Sequence, residues 1–446
     1  MNMARTLYTA LLALVILLFY GGFIVLWLTD QHDFSRDWAN LWGVDLGMLN
    51  TPSRQSVPFF DLYGTLSWRD CHLQGVDVMA TNPCDPLGRP SNYSPLWYLL
   101  PTGGRDNYML LGLLLGVCFL ALLPLVLRPA SWVEFLVSAL AAISSVTLLA
   151  VDRANIDLLL FLMALVALWL WRSGRGWPAY GVICAAALLK FYPVALLGLA
   201  AREPVRRFAA VAAASLLVAI AFVAGFWNEL VRLPALMPNV LVFAGNFGAR
   251  LLGRGIAASV GSDVVVVPLV TIVMAGFCLW DALRAATYLQ AVLEENFWGS
   301  REGACMLGGA LVTVASFFLM ANISYRAIFL LMTLPGLFVL WRKGGGASRL
   351  AGGAMVVLLF CLNSEIPRRL VVWPHDAIFM AEHPEYIWDD VFMAAFFVMD
   401  EMAWWSLVAL LCGFVLAFLR QAPVFARFRK ALRRPGSAGW ATAQPG

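Results

Sequence analysis

Residues 7–28 read LYTALLALVILLFYGGFIVLWL, twenty-two consecutive positions without a charged side chain. As an α-helix at 1.5 Å per residue this stretch is about 33 Å long, enough to cross the roughly 30 Å of hydrocarbon in a bilayer. Arg5 precedes it, and Thr29-Asp30-Gln31 opens a polar loop behind it with no small-residue cleavage site, so it reads as a retained first span rather than a removed signal peptide. The rest of the chain continues the pattern: 61% of its 446 residues are hydrophobic, 13% are charged, and the mean hydropathy is +0.78. Soluble domains carry about 25% charged residues. A chain this apolar needs lipid as its solvent, and its net charge of +4 offers no basic surface for nucleic acid.

Apolar runs at 7–28, 106–127, 131–150, 157–172, 208–226, 264–284, 303–321, 326–341, 349–363 and 403–420 define ten spans. Arg5, Arg128, Arg172, Arg175, Arg284, Arg342 and Lys343 then share one side with the basic stretch 420–434, and the positive-inside tendency makes that side cytoplasmic. Both termini are cytoplasmic on this reading. One segment resists the alternation. Residues 177–201 are long enough to cross once, yet Arg172 and Arg175 flank one end, Arg202, Arg206 and Arg207 flank the other, and Leu189-Lys190-Phe191-Tyr192-Pro193 interrupts the middle. Two half-helices that meet at this break and return to the same side keep the sidedness consistent, and broken helices are tolerated where they line a protein-enclosed cavity.

The expected fold is therefore all-α, a polytopic transmembrane helical bundle of about ten full spans plus one broken-helix hairpin. It forms a single domain over 1–434, with large extracytoplasmic loops at 29–105, 228–263 and 363–402, followed by a Gly-, Ala- and Pro-rich disordered tail at 435–446. Most of the 27 acidic residues and all four histidines fall on the outer side, which makes that the chemically equipped face. No tandem repeat is visible.

Several constellations on that face have the composition of a site. Asp33 and Asp37, just outside the first span, share a face if the loop begins helically; such carboxylates act as a general base or hold a divalent cation, or simply solvate a loop. Pro83, Pro86, Pro90 and Pro95 stiffen a loop that presents Tyr93, Trp97 and Tyr98 either to a sugar or to the membrane interface. Cys71 and Cys84 share this loop, 13 positions apart, and an oxidising compartment permits a disulfide between them. The other six cysteines lie in or beside apolar helices as small hydrophobes.

Asn155 stands in the short turn Asp152-Arg153-Ala154-Asn155-Ile156-Asp157, where two carboxylates flank an arginine and either close a turn or help bind an ionic headgroup. Lys190, one of only three lysines, is buried in an apolar segment. An ammonium there is expensive without a partner, such as a lipid-linked phosphate or the carboxylate of Asp157, unless it snorkels to the interface. Tyr325-Arg326 and Arg368 put outer-side arginines where they hold an anionic group or pair with the acidic loops.

Taken together, these features resemble the C-type superfamily of integral-membrane glycosyltransferases, and within it family 87, the polyprenyl-phosphate-mannose-dependent mannosyltransferases. The resemblance rests on Asp33-Phe34 outside the first span, Tyr93-Ser94-Pro95 before the second, Asn155 in its turn, Leu189-Lys190 with Tyr192-Pro193 at the break, and Tyr325-Arg326, which occur in the family's order. The chain departs from the family where Tyr-Pro-Pro is Tyr-Ser-Pro, where a Gly-containing turn is Arg153-Ala154, and in the loop between Cys71 and Cys84. The resemblance implies a polyprenyl-phosphate sugar donor presented from the outer leaflet, a lipid or glycan acceptor, and inversion at the anomeric carbon. It also implies that Asp33 is the base and that Asp37, Tyr93, Asn155, Asp157, Lys190, Tyr192, Tyr325, Arg326 and Arg368 contribute to substrate binding. No cofactor or essential metal is expected, because the leaving group is a monophosphate, although a divalent ion remains compatible with the carboxylates. The implied location is a bacterial inner membrane.

Two other classes compete. Broken helices and an intramembrane lysine also suit a transporter or lipid flippase, against which stand the lack of an internal repeat and the gathering of polar residues in outer loops. A noncatalytic subunit of an envelope polysaccharide system would tolerate the loss of those carboxylates.

Overall fold

The computed structural model describes residues 3–29, 42, 58–85, 87–236, 245–319, 322–372 and 384–425. Asp33, Asp37 and the tail 435–446 lie outside the described residues. The architecture is a polytopic helical bundle whose only strands, among the described residues, are two residues long. Among the described residues, eight helices are long and apolar enough to cross a membrane: Met3–Leu26, Arg105–Leu127, Val205–Gly225, Asp263–Val292, Arg301–Leu319, Ser324–Arg342, Gly345–Asn363 and Val391–Gln421. A ninth crossing is formed if Trp132–Ala142 and Ser145–Arg153 are one span bent by 42°.

That bend satisfies its own backbone. Ser144 caps the second half by accepting from the Thr147 amide, and the Thr147 hydroxyl donates to the Ala141 carbonyl at 3.1 Å. Groups freed by the break therefore do not face hydrocarbon unpaired. The helix Asp157–Arg172, expected as a full span, has 16 residues. It rises only about 24 Å and is shorter than the hydrocarbon layer.

Segment 177–201 divides as its sequence suggests. Gly176–Leu189 is helical, Lys190 is extended at φ −157° and ψ 126°, and a 3-10 helix runs over Tyr192–Arg202. The two outer ends of this pair meet: the Tyr180 hydroxyl donates to Glu203 Oε1 at 2.9 Å. A single crossing would hold those residues on opposite sides of the layer, so the segment is a hairpin with Lys190 at its tip.

The core surrounds the 3-10 helix Ser324–Thr333, all ten of whose residues are buried, and its continuation Leu334–Arg342. Phe317, Phe329, Phe338, Phe414 and Phe418 fill the space between it and the neighbouring helices. In contrast, Val205–Gly225 and Asp263–Val292 are 6% buried over their apolar windows, with Leu217 67% and Ile272 69% exposed. In water such faces would aggregate; in a bilayer they are simply solvated by lipid. A short antiparallel pairing, Asn246 with Ile323 and Phe247 with Asn322, fastens the segment from residue 245 to the start of the central helix. Gly245, at φ 65°, makes the turn into it, and its carbonyl accepts from the Ser324 amide at 2.8 Å.

Candidate active site

Four chain segments converge at the loop-rich end of the bundle. The first is the turn before Asp157–Arg172. Ala154, at φ 40°, ends the preceding helix, and Asn155 Oδ1 accepts from the Asp157 amide at 3.1 Å. This places the Asp157 carboxylate in the first turn of a helix, where the positive end of the macrodipole favours an anion.

The second segment is the hairpin tip. Its extended backbone stops the helix and turns Lys190 inward, and the Trp97 indole donates to the Leu189 carbonyl at 3.1 Å, satisfying a group that the break had freed. Lys190 Nζ donates to Asp157 Oδ1 at 2.6 Å, and the Tyr192 hydroxyl donates to the same oxygen at 2.7 Å. The third segment starts the central helix, where Arg326 Nε donates to Asp157 Oδ2 at 3.3 Å and Nη1 donates to Asn322 Oδ1. All four side chains are buried, Asp157 completely.

The fourth segment is the proline-rich loop. The Lys190 ammonium lies 4.7 Å from the centroid of the Tyr93 ring, and Arg326 Cζ lies 4.9 Å from that of Tyr192, so both cations are backed by aromatic faces. The Tyr93 phenol is hydrogen-bonded to Asn155, and its ring meets Trp68 edge-on at 5.4 Å. Burial, then Asp61 and Asp157, push the phenol up to about 12, so it is a neutral hydroxyl at physiological pH. Tyr325 is buried beside Arg326, within electrostatic reach of Tyr93, Asp61 and Asp157.

Sequence reasoning passed over Asp61, which forms the wall between this centre and the loops. It lies in the first turn of Phe60–Leu73, a helix entered through Phe59 at φ 55°, whose amide donates to the Asp152 carbonyl at 2.8 Å. Asn155 Nδ2 donates to Asp61 Oδ2 at 2.7 Å, and Arg89 and Arg153 each approach Oδ1 at 3.7 Å. Asp85 holds Arg89 in turn, with Nε to Oδ2 at 2.7 Å and Nη2 to Oδ1 at 3.0 Å, while Arg89 Cζ sits 3.8 Å above the Phe60 ring. The Asp61 side chain is 17% exposed where that of Asp157 is sealed, so Asp61 is the carboxylate within reach of an incoming molecule.

The charges are layered. Inside, two cations face one carboxylate, Lys190 and Arg326 against Asp157. Toward the loops, Asp61, Asp85 and Asp152 stand against Arg89 and Arg153. The inner layer thus carries one excess positive charge, while the outer layer pairs its arginines with carboxylates, among the described residues. Such a site stabilises negative charge that develops on its inner side and accepts a proton on its outer side.

Of the residues named from sequence, Tyr93, Asn155, Asp157, Lys190, Tyr192, Tyr325 and Arg326 meet here. Arg368 pairs on its own helix, its Nε donating to Glu365 Oε2 at 2.9 Å, and the Glu365 carboxylate packs against Gly245. Cys71 and Cys84 form a disulfide that closes the end of the helix carrying Asp61. Among the described residues no group of three or more His, Cys, Asp or Glu side chains gathers to hold a metal ion.

A helical bundle with this many long apolar helices and a buried, charge-layered centre at one end defines an integral membrane protein. The model of glycosyltransferase family 87 matches residues 95–297, a little under half of the chain, and with this architecture it indicates a membrane glycosyltransferase, consistent with the C-type class. The matched stretch contains Asn155, Asp157, Lys190 and Tyr192, whereas Asp61, Tyr93, Tyr325 and Arg326 reach the same centre from outside it. No curated protein and no solved structure matches the chain.

Proposed function

We propose that this glycosyltransferase moves a hexose, mannose by its family resemblance, from a polyprenyl-phosphate donor to an envelope lipid or glycan acceptor. The loop-rich end faces outward from a bacterial inner membrane and both termini face the cytoplasm. The observation that carries the reading is the buried pair of cations, Lys190 and Arg326, sharing one carboxylate at the mouth of the bundle. A monophosphate leaving group fits one excess positive charge, and a lipid-linked one reaches such a site directly from the bilayer.

In the reaction, a carboxylate takes the proton of the acceptor hydroxyl as its oxygen attacks the anomeric carbon from the face opposite the phosphate. The bond from that carbon to the phosphate oxygen breaks with inversion. The electron pair leaves on polyprenyl phosphate, whose new negative charge is met by Lys190 and Arg326. The base is an aspartate of the first loop: the family resemblance names Asp33, and Asp61, partly exposed and hydrogen-bonded by Asn155, is the second candidate. Because the donor leaves as a monophosphate, the step needs no divalent ion.

The test follows transfer from a radiolabelled polyprenyl-phosphate hexose to membrane lipids and glycans by wild type, Asp61→Asn and Asp33→Asn. Loss of transfer in one aspartate variant assigns the base. Full activity in both sinks the assignment. If wild type transfers nothing but, once reconstituted, carries a lipid-linked sugar across the bilayer, a flippase replaces the enzyme reading of this donor.

A further inference from the structure

The helix Phe60–Leu73 has a second end. Asp61 occupies its first turn and His72 its last. Eleven helical steps separate them, which is about 16 Å along the axis. At the His72 end lies a cavity of about 380 Å³ lined by His72, Asp77, Tyr98, Asn228, Glu229 and Arg232, together with backbone and apolar atoms of 75–79. This size is within the roughly 300–1,000 Å³ of small-molecule sites.

The cavity is made by two loops distant in sequence. The disulfide-closed segment between Cys71 and Cys84 supplies one wall and Trp227–Leu236 the other. Arg232 joins them, donating from Nη2 to Asp77 Oδ2 at 2.8 Å and from Nη1 to Oδ1 at 3.2 Å. Both side chains are about half exposed, so the pair adds little stability. Its effect is geometric: it fixes the distance between the walls.

The lining chemistry selects a ligand class. Asp77 is held below the usual carboxylate range, chiefly by its hydrogen bond from Arg232, and that guanidinium occupies both of its oxygens. That leaves Glu229 as the one carboxylate not engaged by Arg232, fewer ligands than a metal cation needs, and two carboxylates against one guanidinium disfavour an anion. What remains is a neutral polyol. Asn228 offers both a donor and an acceptor, Glu229 accepts from hydroxyls, and Tyr98 is a neutral phenol, pushed up to about 12 by burial, Glu229 and Asp77. The His72 and Tyr98 rings, 4.7 Å apart and tilted, give the aromatic wall on which the C–H face of a pyranose rests.

The cavity is also tied to the reacting centre. Tyr98 belongs to the short helix Leu96–Leu99, whose Trp97 holds the carbonyl next to Lys190, and this helix follows directly on Tyr93-Ser94-Pro95. We propose that the cavity is a distal carbohydrate subsite, holding the part of an oligosaccharide acceptor that lies several sugar units from the hydroxyl being glycosylated. This rests on the reading of the acceptor as a glycan and makes that acceptor an already extended chain.

The test uses the full chain purified in detergent, without any donor. Neutral hexose homo-oligomers of one to four units, in α-manno, α-gluco and β-gluco series, are titrated by calorimetry and saturation-transfer NMR. The expected result is that at least one series binds with affinity rising with length, and that Tyr98→Phe and Asn228→Ala each weaken it about ten-fold at an unchanged melting temperature. If an alanine variant melts lower, the isosteric Glu229→Gln takes its place with the same expectation. No binding in any series, or equal binding in the variants, overturns the subsite. Since no donor is present, failure of transfer from polyprenyl-phosphate sugars leaves this result standing, and absence of oligosaccharide binding leaves the donor reading standing.

Discussion

Lys190 Nζ lies 2.6 Å from Asp157 Oδ1, at the tip of a broken hairpin and in the first turn of another helix, 33 residues apart in the chain. Removing the ammonium leaves Asp157 buried with Tyr192 and Arg326 still bonded to it. Lys190→Met is therefore expected to cost about 1–3 kcal/mol, less than the about 3–5 kcal/mol of a wholly unpaired buried charge. It should also lower the rate of transfer about 10²-fold or more through the lost stabilisation of the leaving phosphate. Lys190→Arg, which keeps a cation for Asp157, should restore much of the melting temperature and part of the transfer, whereas Asp157→Leu leaves both buried cations without their carboxylate and should melt lowest. Full transfer by Lys190→Met would reduce the pair to a structural role.

Asp61→Asn keeps the shape of the side chain and an oxygen for Asn155 to donate to. Its melting temperature should stay within a degree or two of wild type, while transfer falls about 10²–10⁴-fold, the usual contribution of a general base. Rates and melting curves measured on the same preparations separate this from unfolding.

The raised pKa values of Tyr93 and Tyr98 carry a pH dependence with a definite sign. Both phenols ionise near 10 when unfolded and near 12 in the fold, so folding favours their protonated forms. Their contribution is complete below pH 10 and is lost as pH rises toward 12. In melting curves taken across that range, Tyr93→Phe should fall less steeply than wild type. An equal alkaline slope in the two proteins would show that the Tyr93 hydroxyl is not held neutral by its surroundings.

The disulfide joins positions 13 apart, Cys71 to Cys84, and closing a loop of this length restrains the unfolded chain by about 3 kcal/mol. Cys71→Ser with Cys84→Ser should lower the melting temperature measurably. The weakening of oligosaccharide binding should exceed that of donor-dependent transfer, because the bond closes the cavity wall and not the Lys190 centre.

The hairpin returns its ends to one side, so Arg206, exposed beyond the second half, belongs to the face opposite the candidate active site. Arg206→Cys, compared with wild type, should react with a membrane-impermeant maleimide only in inside-out vesicles. Labelling from outside the cell would invert the proposed orientation.

Much of the fold is legible in one dimension because hydrocarbon imposes a local rule: a run of about twenty apolar residues has few alternatives to a crossing helix. The same locality exposed the hairpin, since a lysine and a proline within four positions cannot continue an apolar helix unmarked. It also exposed Asp157 as a possible partner for Lys190, because a buried ammonium calls for a carboxylate. Length was harder to judge: Asp157–Arg172 looks like a span in hydropathy but has only 16 helical residues.

The sequence by itself thus determined the solvent, the helical class, the break at Lys190 and most of the charged residues at the centre. The tertiary structure decided which of them meet. Asp61 had no distinguishing spacing, and it becomes part of the centre only because Asn155, 94 positions away, reaches it at 2.7 Å. Arg368, equally arginine-rich in its surroundings, is held at Glu365 instead. Hydropathy is a property of neighbours along the chain, whereas convergence depends on how helices distant in sequence cross and which turns end them. The walls of the carbohydrate cavity, joined by Asp77 and Arg232 across 155 positions, are likewise a product of packing alone.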